Sequence, residues 1–130
     1  MPRSTDIHSH YCVDGMVFGC SEQDILERLG QPDKVAENYT GEVEILFGST
    51  IYRCYHDRLV ECTFPDRGRF SINGVAVLSV FDWLAGCSDV VDKAWFRISL
   101  DNGVAYDFRD PANGSITVFE QGRWDSLVLA

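Results

Sequence analysis

The chain has no long apolar run, no paired cysteine spacing and no surplus of basic residues, and each absence removes a class of function. Nowhere in its 130 residues does an apolar stretch approach the ~20 that a membrane-spanning helix needs. The opening residues, Met1 to His10, hold no apolar core of the kind a secretory signal uses, so the expected location is cytoplasmic, with no membrane partner. Five cysteines (Cys12, Cys20, Cys54, Cys62 and Cys87) make an odd set without a C-x-x-C pair, which argues against a disulfide framework and predicts five free thiols. Lys and Arg number 11 against 20 Asp and Glu, a net charge of −9. Phosphate neutralisation needs the opposite balance, so no nucleic-acid partner is expected. The glycines are isolated, each explained by a turn, and no phosphate-cradling loop forms from them. No cofactor is expected.

What the chain does have is ordinary globular composition: 45% apolar, 24% charged. At this length a single domain spanning 1–130 is expected, with enough core to fold without a metal or disulfide staple. Acids are concentrated between residues 21 and 44, where Glu22, Asp24, Glu27, Asp33, Glu37, Glu42 and Glu44 face only Arg28 and Lys34. Such a window is either a solubilising face or a patch that steers toward a basic partner.

Helix punctuation is clear twice. Ser21 is placed to cap a helix with Asp24 three residues on, and Gly30 and Pro32 end it. Ser79 and Asp82 repeat the pattern before Gly86. Strands are predicted over 42–47, 50–55 and 59–64, with Val60, Cys62 and Phe64 sharing a face. The second half predicts strand or turn over 70–75 and strands over 94–100, 104–108, 115–119 and 124–129, with a hairpin at Asp101-Asn102-Gly103. Residues before Gly15 read as a short strand or a loose lead-in. The expected fold is therefore α+β: an antiparallel β-meander with short helices on one face and the other face partly open. Matched capping and glycine positions suggest two α-β-β pseudo-repeats, about 15–65 and 70–130.

The run Phe18-Gly19-x-Ser21-x-x-Asp24-Ile25-Leu26-x-x-Leu29-Gly30-x-Pro32-Asp33 resembles the repeat motif of helix-plus-meander domains. These are the outer-membrane assembly lipoproteins of the BamE/SmpA type and, in tandem, the β-lactamase inhibitory proteins. The chain departs from the lipoproteins in having no leader followed by a lipid-accepting Cys. A tandem arrangement implies an inhibitor scaffold whose concave sheet face docks on another protein. In composition the chain is also similar to immunity proteins that neutralise bacterial toxins.

Chemistry-bearing residues are sparse. If extended, His8, His10, Cys12 and Asp14 would point four potential metal ligands to one side, the basis of an alternative reading as a small metal-dependent enzyme. Cys54 and His56 are a Cys–His pair close enough in sequence to make an activated thiolate, and no oxyanion-hole motif accompanies them. A strand pattern that turns Cys54, Cys62, Ile98 and Tyr106 toward the helices leaves Glu44, Arg53, Tyr55, Glu61, Trp95, Arg97, Asp107 and Arg109 on the opposite face. Aromatics and Arg among carboxylates make up binding hot spots, although cross-strand ion pairs give the same composition. With Glu37, Glu42 and Glu44 as steering charges, these residues are the candidate partner-binding set. The expected function is a non-enzymatic inhibitor or immunity protein for a probably basic toxin, with a BamE-like assembly adaptor as the other alternative. Oligomeric state is not legible.

Overall fold

The computed structural model describes residues 4–129. The fold is α+β, with mostly antiparallel strands and three short helices. The chain opens with three short strands, β1 (Ser4–His8), β2 (Cys12–Val13) and β3 (Met16–Val17), followed by α1 (Glu22–Leu29). Four strands then run as an antiparallel meander: β4 (Lys34–Glu37), β5 (Val43–Phe47), β6 (Thr50–Tyr55) and β7 (Arg58–Pro65). A hairpin of β8 (Arg69–Ile72) and β9 (Val75–Val77) leads into α2 (Val80–Ala85). A second meander follows, β10 (Val91–Lys93), β11 (Phe96–Ser99), β12 (Val104–Asp107) and β13 (Ser115–Phe119), and α3 (Asp125–Leu129) closes the chain.

The two meanders join where β13 pairs antiparallel with β7, giving an eight-stranded sheet in the order β10-β11-β12-β13-β7-β6-β5-β4. The remaining strands form a five-stranded sheet, β3-β2-β1-β8-β9, in which β1 and β8 run parallel. That pairing corrects the purely antiparallel expectation: the first strand is recruited across the molecule by a segment more than sixty residues later. One core joins the five-stranded sheet, α1 and α2 to a single face of the larger sheet. It includes Ile7 and Phe70, Ile25 and Leu84, and Cys54, Phe64 and Val118. The Phe64 and Phe70 rings stack across the sheets with centroids 6.0 Å apart.

Both helices start where the sequence places them. Ser21 Oγ accepts from Asp24 N, and Asp24 Oδ2 accepts from Ser21 N, a complete capping box. Ser79 Oγ accepts from Asp82 N at 3.2 Å. Gly30 ends α1 at φ 85°, a backbone angle that favours glycine.

Three strand expectations are corrected. Residues 124–129 are helical from Asp125 rather than extended, because Trp124 and Val128, four apart, both reach the cluster of Ile98, Ala105 and Phe119. Lys34–Glu37 is a strand the pattern did not announce, a short, charged edge of the kind sheets use to resist further pairing. A register shift at Arg53/Cys54 sets Leu59, not Val60, opposite Cys54.

Candidate functional site

Side-chain alternation across the large sheet decides which expected site residues meet. Arg53 lies between Glu44 and Glu61 in register, so all three share one face, the face turned away from α1 and α2. Arg53 Nε donates to Glu44 Oε2 at 2.8 Å and Nη1 to Glu61 Oε2 at 2.7 Å, with Thr63 Oγ1 at 3.0 Å. Glu61 is itself bound from the other side by Trp124 Nε1 (2.7 Å) and Arg123 Nε (3.2 Å). Arg123 also pairs with Glu42. Burial opposes the Arg53 charge, but Glu44 and Glu61 outweigh it and hold its pKa above the ordinary value. Burial likewise pushes the Glu42 carboxyl up, and hydrogen bonds from Asn38 and Arg123 overcome this and hold it below the ordinary value.

This is an internal network. Glu61's side chain is only 8% exposed, and the 123–129 segment covers it while Trp124 stacks on Phe119 with centroids 5.0 Å apart. The face expected to be open is therefore partly occupied by the protein's own C-terminal segment. Arg123 and Trp124 are the members that strand-pattern reading missed. The signal that could have found them is the i, i+4 spacing of Trp124 and Val128.

The other expected residues lie elsewhere. Arg97 pairs in register with Tyr106, so it sits on the helix side, not opposite it, whereas Ile98 pairs with Ala105 on the far face. This reverses the expected orientation of Ile98. Arg97 reaches Asp92 through two nitrogens, at 2.9 and 3.1 Å, and its guanidinium lies 4.0 Å from the Phe81 ring centroid. Tyr55 is exposed and tilts against His56 at 4.1 Å. Glu37 is exposed on the edge strand β4. Trp95, Asp107 and Arg109 form a separate cluster: Arg109 Nη2 binds Asp107 Oδ2 at 3.1 Å, and its guanidinium lies 4.5 Å from the Trp95 ring. Trp95 stays 44% exposed, and its carbonyl accepts from Phe108 N at 3.0 Å.

The premise of the N-terminal metal set fails. Residues 8–14 are not extended, since His10 and Asp14 have φ of 62° and 51° and the chain reverses at each. His8 Nε2 meets Asp6, His10 Nε2 meets the Asp101 carbonyl, and Cys12 is buried. Among the described residues, no group of three or more His, Cys, Asp or Glu is placed to share a metal ion. The Cys54–His56 pair also separates. Cys54 is fully buried, with its thiol pushed up to about 12 chiefly by burial, and His56 turns away at φ 51° onto Tyr55.

On the helix side of the sheet, an open cleft of about 520 Å³ lies among α2, β12 and the loops that flank β7 and β12. Its walls are Phe81, Tyr106 and Phe108, whose rings pack edge to face at 5.3 and 5.8 Å around Phe81. Three carboxylates, Asp66, Asp82 and Asp110, line it, and among the described residues no basic side chain does. Tyr106 Oη donates to Asp66 Oδ2 at 2.5 Å, and burial together with that carboxylate raises the phenol's pKa, so the donor keeps its proton. Hydrogen bonds from Asn113 and the Ala112 backbone hold Asp110 below the ordinary carboxylate value. Gly114 makes room for this arrangement: a Cβ there would sit 2.6 Å from Tyr106 Cζ. The cleft's residues come from three distant stretches of chain, and no spacing in the sequence links them. Compared with protein-family models, curated proteins and solved structures, the chain matches none.

Proposed function

We propose that the protein is a non-enzymatic binding module of the inhibitor or immunity kind, which docks on a basic protein partner and covers its working surface. The observation that carries this reading is Trp95: a large, exposed aromatic held in place by the stacked Arg109, which Asp107 in turn anchors. A side chain already ordered in the free protein loses little rotamer freedom when a partner closes over it, which favours an anchor role. The net charge of −9 suits a basic partner, and long-range attraction of that sign speeds encounter. Supporting the immunity reading is the compositional likeness noted above.

Immunity proteins must be inherited with the toxins they neutralise, so the test begins with the reading frame beside this one. Its product is expected to arrest growth when expressed alone, to be neutralised on co-expression with this chain, and to form a stable complex with it. Trp95→Ala should weaken that complex by about 2 kcal/mol, mostly through faster dissociation. A neighbour that is harmless alone, or that forms no complex, overturns the immunity reading. Unchanged affinity in Trp95→Ala overturns the anchor.

A further inference from the structure

We propose that the cleft among Phe81, Tyr106 and Phe108 receives an arginine side chain of the partner, an inference that rests on the binding-module reading and adds to it a contact of stated ligand chemistry. Three features select a guanidinium. The walls are aromatic, and cations are attracted to ring faces by the ring quadrupole. The polar lining includes Asp66, Asp82 and Asp110, none of which has a basic partner within ion-pair distance among the described residues. Finally, the Phe81 ring already stacks with a guanidinium: Arg97, which does not line the cleft, lies 4.0 Å from its centroid. The chain thus uses the same ring chemistry internally that the cleft offers to a visitor.

Size and shape agree. About 520 Å³ exceeds the space of one arginine side chain, and the cleft is open to solvent. A planar guanidinium presents five N–H donors to several acceptors while stacking on an aromatic face, which a compact ammonium does less well. Tyr106 fixes Asp66 as one acceptor, while hydrogen bonds at Asp110 keep a second ionised. Asp82, at the start of α2, forms no side-chain ion pair among the described residues, and its nearby positive charge is Arg97, which acts on it through space only. The exposed Leu78 immediately precedes Ser79 on the cleft wall, so apolar surface flanks the entrance. Desolvated rims of this kind exclude water from a central charged contact.

The test uses the full chain and three small probes: N-acetyl-arginine amide, its lysine counterpart and its uncharged citrulline counterpart. Amide resonances are followed by NMR during each titration. The arginine probe should shift residues 79–82 and 106–111 and bind in the millimolar range, on the order of 1–10 mM. Citrulline should produce no shifts there, and lysine should bind several-fold more weakly. Asp82→Asn and Asp110→Asn, both near-isosteric and exposed, should each weaken arginine binding about three- to tenfold. Absence of shifts at the cleft, equal shifts from citrulline, or equal binding by lysine would each overturn the inference. None of these bears on the co-expression assay, so the inference and the binding-module reading fail by different results.

Discussion

Replacing Glu61 tests whether the covered network holds the C-terminal segment onto the sheet. Its carboxylate accepts from Arg53 and Arg123 and from the Trp124 indole, with the side chain 8% exposed. Glu61→Ala strands Arg53 with Glu44 alone, Arg123 with Glu42 alone, and the indole N–H without its acceptor. Removing one partner of a buried ion pair costs about 3–5 kcal/mol, because the remaining charge is left uncompensated. The surviving pairs soften the loss, so the low end, about 3 kcal/mol, is expected. At ~2.1 cal/mol/K per residue, a chain of this length has an unfolding entropy near 0.27 kcal/mol/K, so Tm should fall by about 11 °C. Thermal melts followed by far-UV circular dichroism give the shift, and tryptophan fluorescence reports whether Trp124 leaves Phe119. Glu44→Ala is the internal control. It removes one contact to Arg53 from a more exposed carboxylate and should cost about 1 kcal/mol or less. Equal losses in the two variants, or a Glu61→Ala shift below about 4 °C, would refute the reasoning.

Gly114→Ala should destabilise by about 1–3 kcal/mol in urea titrations, since the added methyl overlaps the Tyr106 phenol. Acid should destabilise through Glu42 and Asp92, whose folded pKa values are held low by bonds to Arg123 and Asn38 and to Arg97. That contribution is present above the ordinary carboxyl values near 4 and is lost as pH falls through the lowered ones, so the urea midpoint should drop from pH 5 toward 3 and drop less in Arg123→Met. Thiol titration of the unfolded, unreduced protein should find five groups. In the native protein Cys54, buried and pushed up to about 12, should stay unreactive at pH 8 while the partly exposed Cys20 and Cys87 react.

The capped helices and the antiparallel strands were legible because their signals are local. Ser21 with Asp24, Ser79 with Asp82, and the alternation over 43–47 and 50–55 each depend on neighbours a few residues apart. Faces were less legible, because alternation gives two sides without saying which side a neighbouring strand shares. Registering Arg97 against Tyr106, rather than Ile98 against it, moves Arg97 across the sheet. The bulge at Arg53/Cys54 has the same effect on Val60 and Leu59. The C-terminal segment misled for a different reason: over six residues an apolar pattern fits either period, and contact with Phe119 and Ile98 chooses the helix. The cleft left no trace in the sequence, since Asp66, Asp82 and Asp110 are brought together by the pairing of β7 with β13 and of α2 with β12.

The fate of the acidic window shows why a run of charge in sequence differs from a charged surface. Of the carboxylates between residues 21 and 44, Asp24 closes the α1 capping box and Asp33 accepts from Gly48 N at 2.5 Å. Glu42 and Glu44 neutralise Arg123 and Arg53. All four serve the fold, and for Glu42 and Glu44 the field is offset by the arginines they bind. Asp66, Asp82 and Asp110 form no ion pair among the described residues, although Arg97 lies near enough to Asp82 to feel its charge, and nothing in the sequence groups the three. On the reading proposed above, the attraction that guides a basic partner therefore draws on the cleft as well as on the window. An approaching cation gains most where charges are uncompensated and aromatic walls lower the local dielectric.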